Sequence, residues 1–233
     1  MRRQGSTVYC LGIREHADAS ALRPVCDDYH EVGLAQLGAA IRYFRQHQVS
    51  RATMAGKIHK VRLFRRFAWL KHIPDWKGLK TFYPHFIQGR QDRRDNTLLL
   101  AILNAYAADG ITFSPATDFA PELLVKLGQL SGPRLTELQQ KDVEFAWQIA
   151  KDLGRLDIGQ TVAVKNKTVI ALEAMEGTDE TMARAGGLSK QGFVVAKVAR
   201  PNQDMRFDVP LVGLETVEAL ARAGGTALAL EAG

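Results

Sequence analysis

The order strand, helix, strand within the first 56 residues constrains the fold more than any other feature of the chain. The apolar run Thr7–Ile13 predicts a buried strand, Leu34–Gln46 predicts an amphipathic helix, and a second strand is predicted near Ala52–Ala55. This spacing is typical of a parallel βαβ unit. Ligands of such sheets collect at the carboxyl ends of the strands, where Gly56 and Lys57 follow. Lys57 is therefore a candidate phosphate contact, and a solvated lysine beside a turn glycine is the alternative.

The second half of the chain also alternates strand and helix patterns. Thr136 and Gln139 have the spacing of a capping box, and this helix is predicted to end near Gly154. Thr161–Glu173 predicts a hairpin that turns at Asn166 and Lys167. Further elements are predicted as helices over Asp95–Ala108, from Gly177 to about Ala185 and over Glu215–Ala223, and as a strand over Phe193–Val198. The break at 131–133 (Ser-Gly-Pro) predicts a boundary between domains at residues 1–130 and 131–233.

The composition of the chain is that of a globular protein. The chain has 233 residues, of which 46% are hydrophobic and 24% are charged, as in ordinary globular proteins. Cys10 and Cys26 have no C-x-x-C spacing and are expected to be reduced thiols. No stretch reaches the roughly 18 apolar residues that a membrane span needs, and no apolar segment follows Met1 as in a secretory signal. We therefore expect a cytoplasmic protein.

Charge is distributed unevenly along the chain. Residues 1–130 contain 19 Lys and Arg against 11 Asp and Glu, whereas residues 131–233 contain 12 against 14. The segment Val61–Lys71 (VRLFRRFAWLK) interleaves basic and apolar side chains. This pattern is typical of a peripheral contact with an anionic membrane, but a core helix and an RNA-binding surface are alternatives. A basic region attracts nucleic acid, anionic lipid or a diphosphate, and charge does not choose among them.

Several catalytic motifs are absent from the sequence. No G-x-x-x-x-G-K-[ST] loop, G-x-G-x-x-G fingerprint or G-x-S-x-G elbow occurs. The six histidines all lie in the first half and form no H-E-x-x-H motif. Hydrolytic chemistry in this chain would therefore depend on carboxylates and an oxygen-preferring metal ion.

An acid-rich pattern near the C-terminus fits that requirement. If Asp204–Val209 (DMRFDV) forms a strand, Asp204, Arg206 and Asp208 share one face and the apolar side chains share the other. Four further acids lie upstream, namely Glu173, Glu176, Asp179 and Glu180. Together they indicate a magnesium-dependent phosphoester site. The alternative is an edge strand whose charges discourage aggregation.

Three segments resemble the LpxI family, whose members are UDP-2,3-diacylglucosamine pyrophosphatases of lipid A biosynthesis. They are Leu153–Gln160 (LGRLDIGQ), Glu173–Asp179 (EAMEGTD) and Lys197–Gly213 (KVARPNQDMRFDVPLVG). The resemblance implies an α/β chain with a Rossmann-like N-terminal parallel-sheet domain and a mixed α/β C-terminal catalytic domain. It also implies magnesium-assisted hydrolysis of UDP-2,3-diacylglucosamine to UMP and 2,3-diacylglucosamine 1-phosphate (lipid X).

The resemblance further implies roles for individual residues. Asp204 and Asp208 are expected to hold Mg²⁺ or to orient water, with Asp208 the most important for turnover. Glu173 and Glu176 are expected to serve as further ligands or as the base. The expected substrate-binding residues are Lys57, Gly177, Thr178, Asp179, Lys197, Gln203 and Arg206.

The diacylated substrate favours contact of segment 61–80 with the inner membrane surface, and nucleic acid is not an expected partner. Compared with the family, the chain is expected to lack the first strand and its Gly-rich turn, as well as a last strand and helix. Two alternatives remain open at this point. One is a truncated, non-catalytic binder of UDP-sugar lipid, and the other is a basic module that binds nucleic acid or lipid.

Overall fold

The structure, a computed structural model of the chain, describes residues 5–56, 72–86, 95–201 and 203–232. It divides into two units. Unit 1 comprises Met1–Glu122 together with the short segment Met205–Phe207. Unit 2 comprises Leu123–Asp204 and Asp208–Gly233. Lys57 and the basic segment Val61–Lys71 lie outside the described residues.

Unit 1 combines short parallel strands with helices. Its helices are α1 (Ala19–Leu22), α2 (Leu37–Gln46), α3 (Trp76–Phe86) and α4 (Asp95–Ala107). Its strands are β1 (Tyr9–Ile13), β2 (Asp28–Val32), β3 (Arg51–Ala52) and β4 (Thr112–Phe113). The amphipathic α2 buries one face in the core, including Leu37, Ile41 and Phe44, where it meets Tyr106 of α4.

The strands of unit 1 pair differently from the predicted βαβ unit. β1 pairs in parallel with β2, so that Tyr9 lies opposite Asp28, and β3 pairs in parallel with β4. The prediction omitted β2, because its sequence Asp-Tyr-His-Glu-Val is polar and only Val32 is fully buried. The expected parallel character is confirmed, but β1 and β3, the two strands of the predicted βαβ unit, lie in different sheets of the described residues.

Unit 2 is a four-stranded mixed sheet with helices on both faces. Its helices are α5 (Glu137–Arg155), α6 (Thr178–Ser189) and α7 (Leu214–Ala223). Its strands are β5 (Thr161–Lys165), β6 (Thr168–Leu172), β7 (Phe193–Lys197) and β8 (Gly225–Leu230), in the spatial order β6-β5-β7-β8. β5 is antiparallel to both of its neighbours, and β7 is parallel to β8. The predicted α/β class is thereby confirmed.

The alternation of side chains along the strands of unit 2 determines which helix each face meets. Val162, Val164 and Val194 pack with Ala146 and Ala150 of α5. The intervening residues point to the opposite face. There Ala163, Phe193 and Val195 pack with Met182 of α6 and Leu220 of α7. The two central strands, β5 and β7, are therefore buried on both faces, which fixes their register.

Short sequence motifs determine where the first helix of unit 2 begins and where its hairpin turns. The Thr136 hydroxyl accepts the N–H of Gln139, whose side chain accepts the N–H of Thr136, so the predicted capping box is confirmed. The predicted hairpin is also confirmed, and Asn166 and Lys167 both adopt positive φ, as in a type I′ turn. The buried Asp142 of α5 accepts the N–H groups of Asn166 and Lys167 at 2.8 and 2.7 Å. Helix and hairpin are thus joined by one carboxylate.

The predicted strand over residues 204–209 is wrong, because this segment forms a turn. The N–H of Asp208 donates to the carbonyl of Asp204 at 2.8 Å, which closes an α-turn. Prolines at 201 and 210 bracket the segment and lack the N–H that a strand ladder uses. Alternation along the sequence therefore does not place Asp204, Arg206 and Asp208 on one face.

Among the described residues, no helix is both long enough and apolar enough to cross a bilayer.

Candidate active site

One edge of the sheet in unit 2 gathers chemically reactive side chains. β6, β7 and β8 run in the same direction, so their carboxyl ends meet at the edge where β5 begins. Thr161 lies opposite Lys197 at this edge, and Glu173 follows the last residue of β6. The carboxyl edge of such a sheet is where ligands usually bind. The fold thus brings together residues from separate segments of the sequence.

Glu173 is a buried carboxylate, with only 7% of the residue exposed. One carboxylate oxygen accepts the hydroxyl of Thr178 at 3.1 Å, and the other accepts the N–H of Gln160 at 3.3 Å. Gly159 permits this arrangement, because a Cβ at that position would lie 2.1 Å from the carbonyl oxygen of Glu173. The glycine of the LGRLDIGQ segment therefore lets the backbone approach the acidic residue closely.

Lys197 is the cation of the same cluster and is equally buried. Its Nζ donates to Oγ1 of Thr178 at 2.9 Å and to the carbonyl of Leu211 at 3.0 Å. Burial lowers the pKa of Lys197, whereas the charges of Glu173 and Asp179 act to raise it. Thr178 thus accepts from the ammonium and donates to the carboxylate, which links Lys197 to Glu173 through one hydroxyl. The Leu211 contact also ties the segment after β7 to the sheet edge.

The loop from Glu173 to the start of α6 is held by Glu176. Its carboxylate accepts the Ala174 N–H at 3.1 Å and pairs with Arg184 at 2.5 Å. The N–H of its own backbone, the Arg184 guanidinium and the Ala174 N–H lower the pKa of Glu176. Gly177, with φ of 88°, then turns the chain into the helix, in a conformation that favours glycine. The contacts of Glu176 are those of a residue that shapes the loop.

The segment after β7 is organised around Arg200. Its guanidinium bridges two carboxylates, with Nη1 donating to Asp157 at 2.9 Å and Nη2 to Asp208 at 2.5 Å. Its backbone N–H donates to the side chain of Gln203 at 3.0 Å. Nε of Arg200 and Nε2 of Gln203 are buried polar atoms with no hydrogen-bond partner within the described residues. Buried donors of this kind are ready to bind an anionic or carbonyl oxygen.

Neither Arg200 nor Asp157 was predicted from the sequence to be a site residue. The sequence indicates a role for them only through their positions in the family-like segments, Asp157 in LGRLDIGQ and Arg200 in KVARPNQD. Spacing alone could not pair them, because 43 residues separate them along the chain.

Most of the predicted site residues of unit 2 lie in two groups, and hydrogen bonds or ion pairs join the residues within each group. Glu173, Thr178 and Lys197 form the buried group, and Asp179 lies close enough to influence the charge of Lys197. The second group contains Asp208 and Gln203 around Arg200, with Asp204 joined to Asp208 by the turn. Two predicted residues fall elsewhere. Arg206 belongs to the segment that is part of unit 1, and Lys57 lies outside the described residues.

The acidic side chains near the candidate site determine whether a magnesium ion could bind there. Among the described residues, no group of three or more His, Cys, Asp and Glu side chains is placed to hold a metal ion. Mg²⁺ commonly binds through one or two carboxylates and completes its shell with water and substrate phosphates. Asp204 and Asp208, both partly exposed, fit that arrangement. The residues therefore fit a magnesium ion that binds together with a phosphate ligand, and do not fit a preformed protein cage.

Comparisons with known proteins identify relatives of this chain. Residues 1–123 match the model of the LpxI N-terminal domain, and residues 126–233 match that of the LpxI C-terminal domain. A protein of Caulobacter vibrioides named UDP-2,3-diacylglucosamine pyrophosphatase LpxI is 29% identical over 238 aligned residues. That alignment covers 98% of this chain and 81% of the relative. The two family models together span nearly every residue, and the chain belongs to the LpxI family.

Proposed function

We propose that the chain hydrolyses the diphosphate of UDP-2,3-diacylglucosamine to UMP and 2,3-diacylglucosamine 1-phosphate (lipid X) in lipid A biosynthesis. The family membership and the printed name of the Caulobacter relative support the substrate. The observation that carries the proposal is the sheet edge of unit 2. There a buried lysine and a buried carboxylate share one threonine hydroxyl, and the chain that leaves β7 carries a second carboxylate, Asp208, held by Arg200.

The reaction adds one water molecule across a phosphoric anhydride. A water oxygen bonds to one phosphorus, the bridging oxygen leaves with the other phosphorus, and one proton is released or taken up by a base. Charge on the non-bridging and leaving oxygens must be neutralised as the bond breaks. A site for this reaction therefore needs cations and N–H donors toward the diphosphate and a carboxylate toward the water.

The described residues supply these parts. Lys197 and the N-terminus of α6 at Gly177 and Thr178 would bind phosphate oxygens, because an ammonium and helix N–H groups favour anions. Asp208 would orient the attacking water, and Arg200 would fix the orientation of that carboxylate. The buried Glu173 would keep Lys197 charged although burial lowers the pKa of the ammonium.

Further predicted contacts complete the proposal. Gln203, Arg206, Asp179 and Lys57 remain candidate substrate contacts, and Glu176 acts by holding the loop. A bound Mg²⁺ at Asp204 and Asp208 would neutralise phosphate charge and lower the pKa of a nearby water. The protein would work in the cytoplasm against the inner membrane surface, where a diacylated substrate resides.

The magnesium requirement is tested by measuring UMP release from detergent-dispersed substrate. We expect activity with added Mg²⁺, loss of activity with excess EDTA, and recovery when Mg²⁺ is restored, because the described residues alone do not form a complete cation cage. Circular dichroism recorded with EDTA serves as the control for folding. Full activity in EDTA would contradict the magnesium part of the proposal and leave the hydrolysis intact.

A further inference from the structure

Helix α3 of unit 1 carries a row of exposed apolar side chains that the proposed reaction does not use. Trp76 is 81% exposed, Tyr83 is 43% exposed and Leu79 is 41% exposed. Ile73, which precedes the helix by three positions, is 47% exposed. Positions 76, 79 and 83 follow the helical repeat, so Trp76, Leu79 and Tyr83 lie along one face of α3. An exposed row of this kind usually marks an interaction surface.

A basic cavity lies beside this row and shares Trp76 with it. The cavity has a volume of about 240 Å³. Its charged lining residues are the cations Arg42, Arg45 and Lys77 and the carboxylates Asp75 and Asp109. The cations exceed the carboxylates by one, and Lys80 adds a further exposed positive charge on α3.

Both carboxylates of the cavity are already engaged within the protein. Asp75 accepts the N–H groups of Ala39 and Gly78 at 2.8 and 2.9 Å, which joins the first turns of α2 and α3. Asp109 pairs with Lys77 and, at 3.6 Å, with Arg45. Both carboxylates therefore have partners within the protein, and the three cations of the cavity exceed its two carboxylates by one positive charge.

The combination of features identifies the type of partner. Tryptophan and tyrosine prefer the boundary between lipid headgroups and acyl chains, since one part of each ring system is apolar and another is polar. Lysine and arginine next to them interact with lipid phosphates. We propose that this face, the α3 surface (Ile73, Trp76, Leu79, Lys80 and Tyr83), docks on an anionic phospholipid bilayer. The inference deepens the proposed function, because it places the protein where a diacylated substrate is found.

Binding of the full chain to vesicles tests the α3 surface directly. The vesicles contain phosphatidylcholine alone or with phosphatidylglycerol, they contain no substrate, and the bound fraction is measured by flotation. We expect binding to the anionic vesicles that weakens in high salt, because exposed charges are screened. Trp76→Ala should lower the partition coefficient roughly tenfold through lost apolar burial. Lys80→Gln should lower it about fivefold through one lost charge.

Two substitutions on α5 serve as matched controls. Leu138 is 69% exposed, and Lys141 is an exposed lysine. Leu138→Ala and Lys141→Gln should leave vesicle binding unchanged. Wild-type protein that fails to bind anionic vesicles would overturn the proposal. So would α3 variants that bind as well as the wild type, or a wild type that binds RNA in preference to vesicles.

UMP release from detergent-dispersed substrate separates this inference from the proposed function. The α3 variants should retain that activity, because their substitutions lie outside the proposed catalytic residues. Hydrolysis without vesicle binding would overturn the α3 surface alone. Vesicle binding without hydrolysis in the wild type would support the surface and contradict the proposed function.

Discussion

At the scale of single residues, the burial of Lys197 carries an energetic cost in the candidate site. A buried ammonium loses hydration, and only good hydrogen bonds and opposite charge make its burial tolerable. Here the compensation comes from Thr178, the Leu211 carbonyl and the neighbouring Glu173. Perturbed buried ionisable groups concentrate at functional sites. This cost is the physical reason for assigning Lys197 a role in binding the diphosphate.

The lowered pKa of Lys197 predicts a pH dependence of stability. Between its folded pKa and the unfolded value of 10.5, the unfolded chain binds more protons at this residue than the folded chain. The contribution of Lys197 to the free energy of unfolding therefore rises with pH in that range. We expect the difference in unfolding free energy between wild type and Lys197→Met to shift in favour of the wild type as pH increases. Urea unfolding at several alkaline pH values measures it.

Taking the difference between the two proteins removes other titrations from this measurement. Burial raises the pKa of Tyr29 to about 12, and tyrosines such as this one also change stability at high pH. They are present in both proteins and cancel. A difference that stays constant or falls with pH would mean that Lys197 is not a buried ammonium with a lowered pKa.

Arg200 is the residue on which the orientation of Asp208 depends. A guanidinium can bridge two carboxylates with separate N–H groups, whereas a lysine ammonium cannot reproduce that planar fork. Arg200→Lys should therefore lower kcat/KM for UMP release roughly 10- to 100-fold, the usual effect of losing a residue that orients a functional ligand. The matched control is Arg155→Lys, which alters an exposed pair with Asp152. Equal activity of both variants would contradict the role of Arg200.

At the scale of secondary structure, Asp142 joins two elements of unit 2. It is 6% exposed and accepts two N–H groups of the hairpin turn. Asp142→Ala would leave both donors without an acceptor, so we expect a loss of about 3 kcal/mol in unfolding free energy. Asp152→Ala on the same helix removes an exposed carboxylate and should cost less than about 0.5 kcal/mol. Denaturant unfolding compares the two, and similar losses would contradict the role of Asp142.

Elements with local signals were predictable from the sequence. The capping box of α5 and the Asn166-Lys167 turn each involve residues within a few positions of one another. β2 was missed because its own sequence is polar. It forms a strand by pairing with β1, which lies in another part of the chain. The strand predicted over residues 204–209 was wrong because alternation alone does not reveal contacts that favour a turn. These contacts are the hydrogen bond from Asp208 to Asp204 and the ion pair of Asp208 with Arg200.

At the scale of the whole molecule, the family-like segments and the fold reveal different properties of the chain. The three family-like segments identify the family, but they do not reveal which of their residues touch. The sheet of unit 2 supplies that information, since it places Thr161 opposite Lys197 and Glu173 at the same edge. Asp157 and Arg200 could be recognised as site residues only once the fold had joined them. The uneven charge of the chain, basic in residues 1–130, matches the basic cavity beside α3.

We expect hydrolysis of the diphosphate to depend on Asp208. The most direct test measures UMP release from UDP-2,3-diacylglucosamine with Mg²⁺ for the wild type, Asp208→Asn and Asp152→Asn. Asp152 is an exposed acid of the same unit that pairs with Arg155. We expect Asp208→Asn to lose at least about 100-fold in kcat while keeping its unfolding midpoint, because a neutral amide cannot replace the carboxylate. Asp152→Asn should match the wild type. An Asp208→Asn protein with wild-type turnover, or a folded wild type that releases no UMP, would contradict the role of Asp208 in hydrolysis.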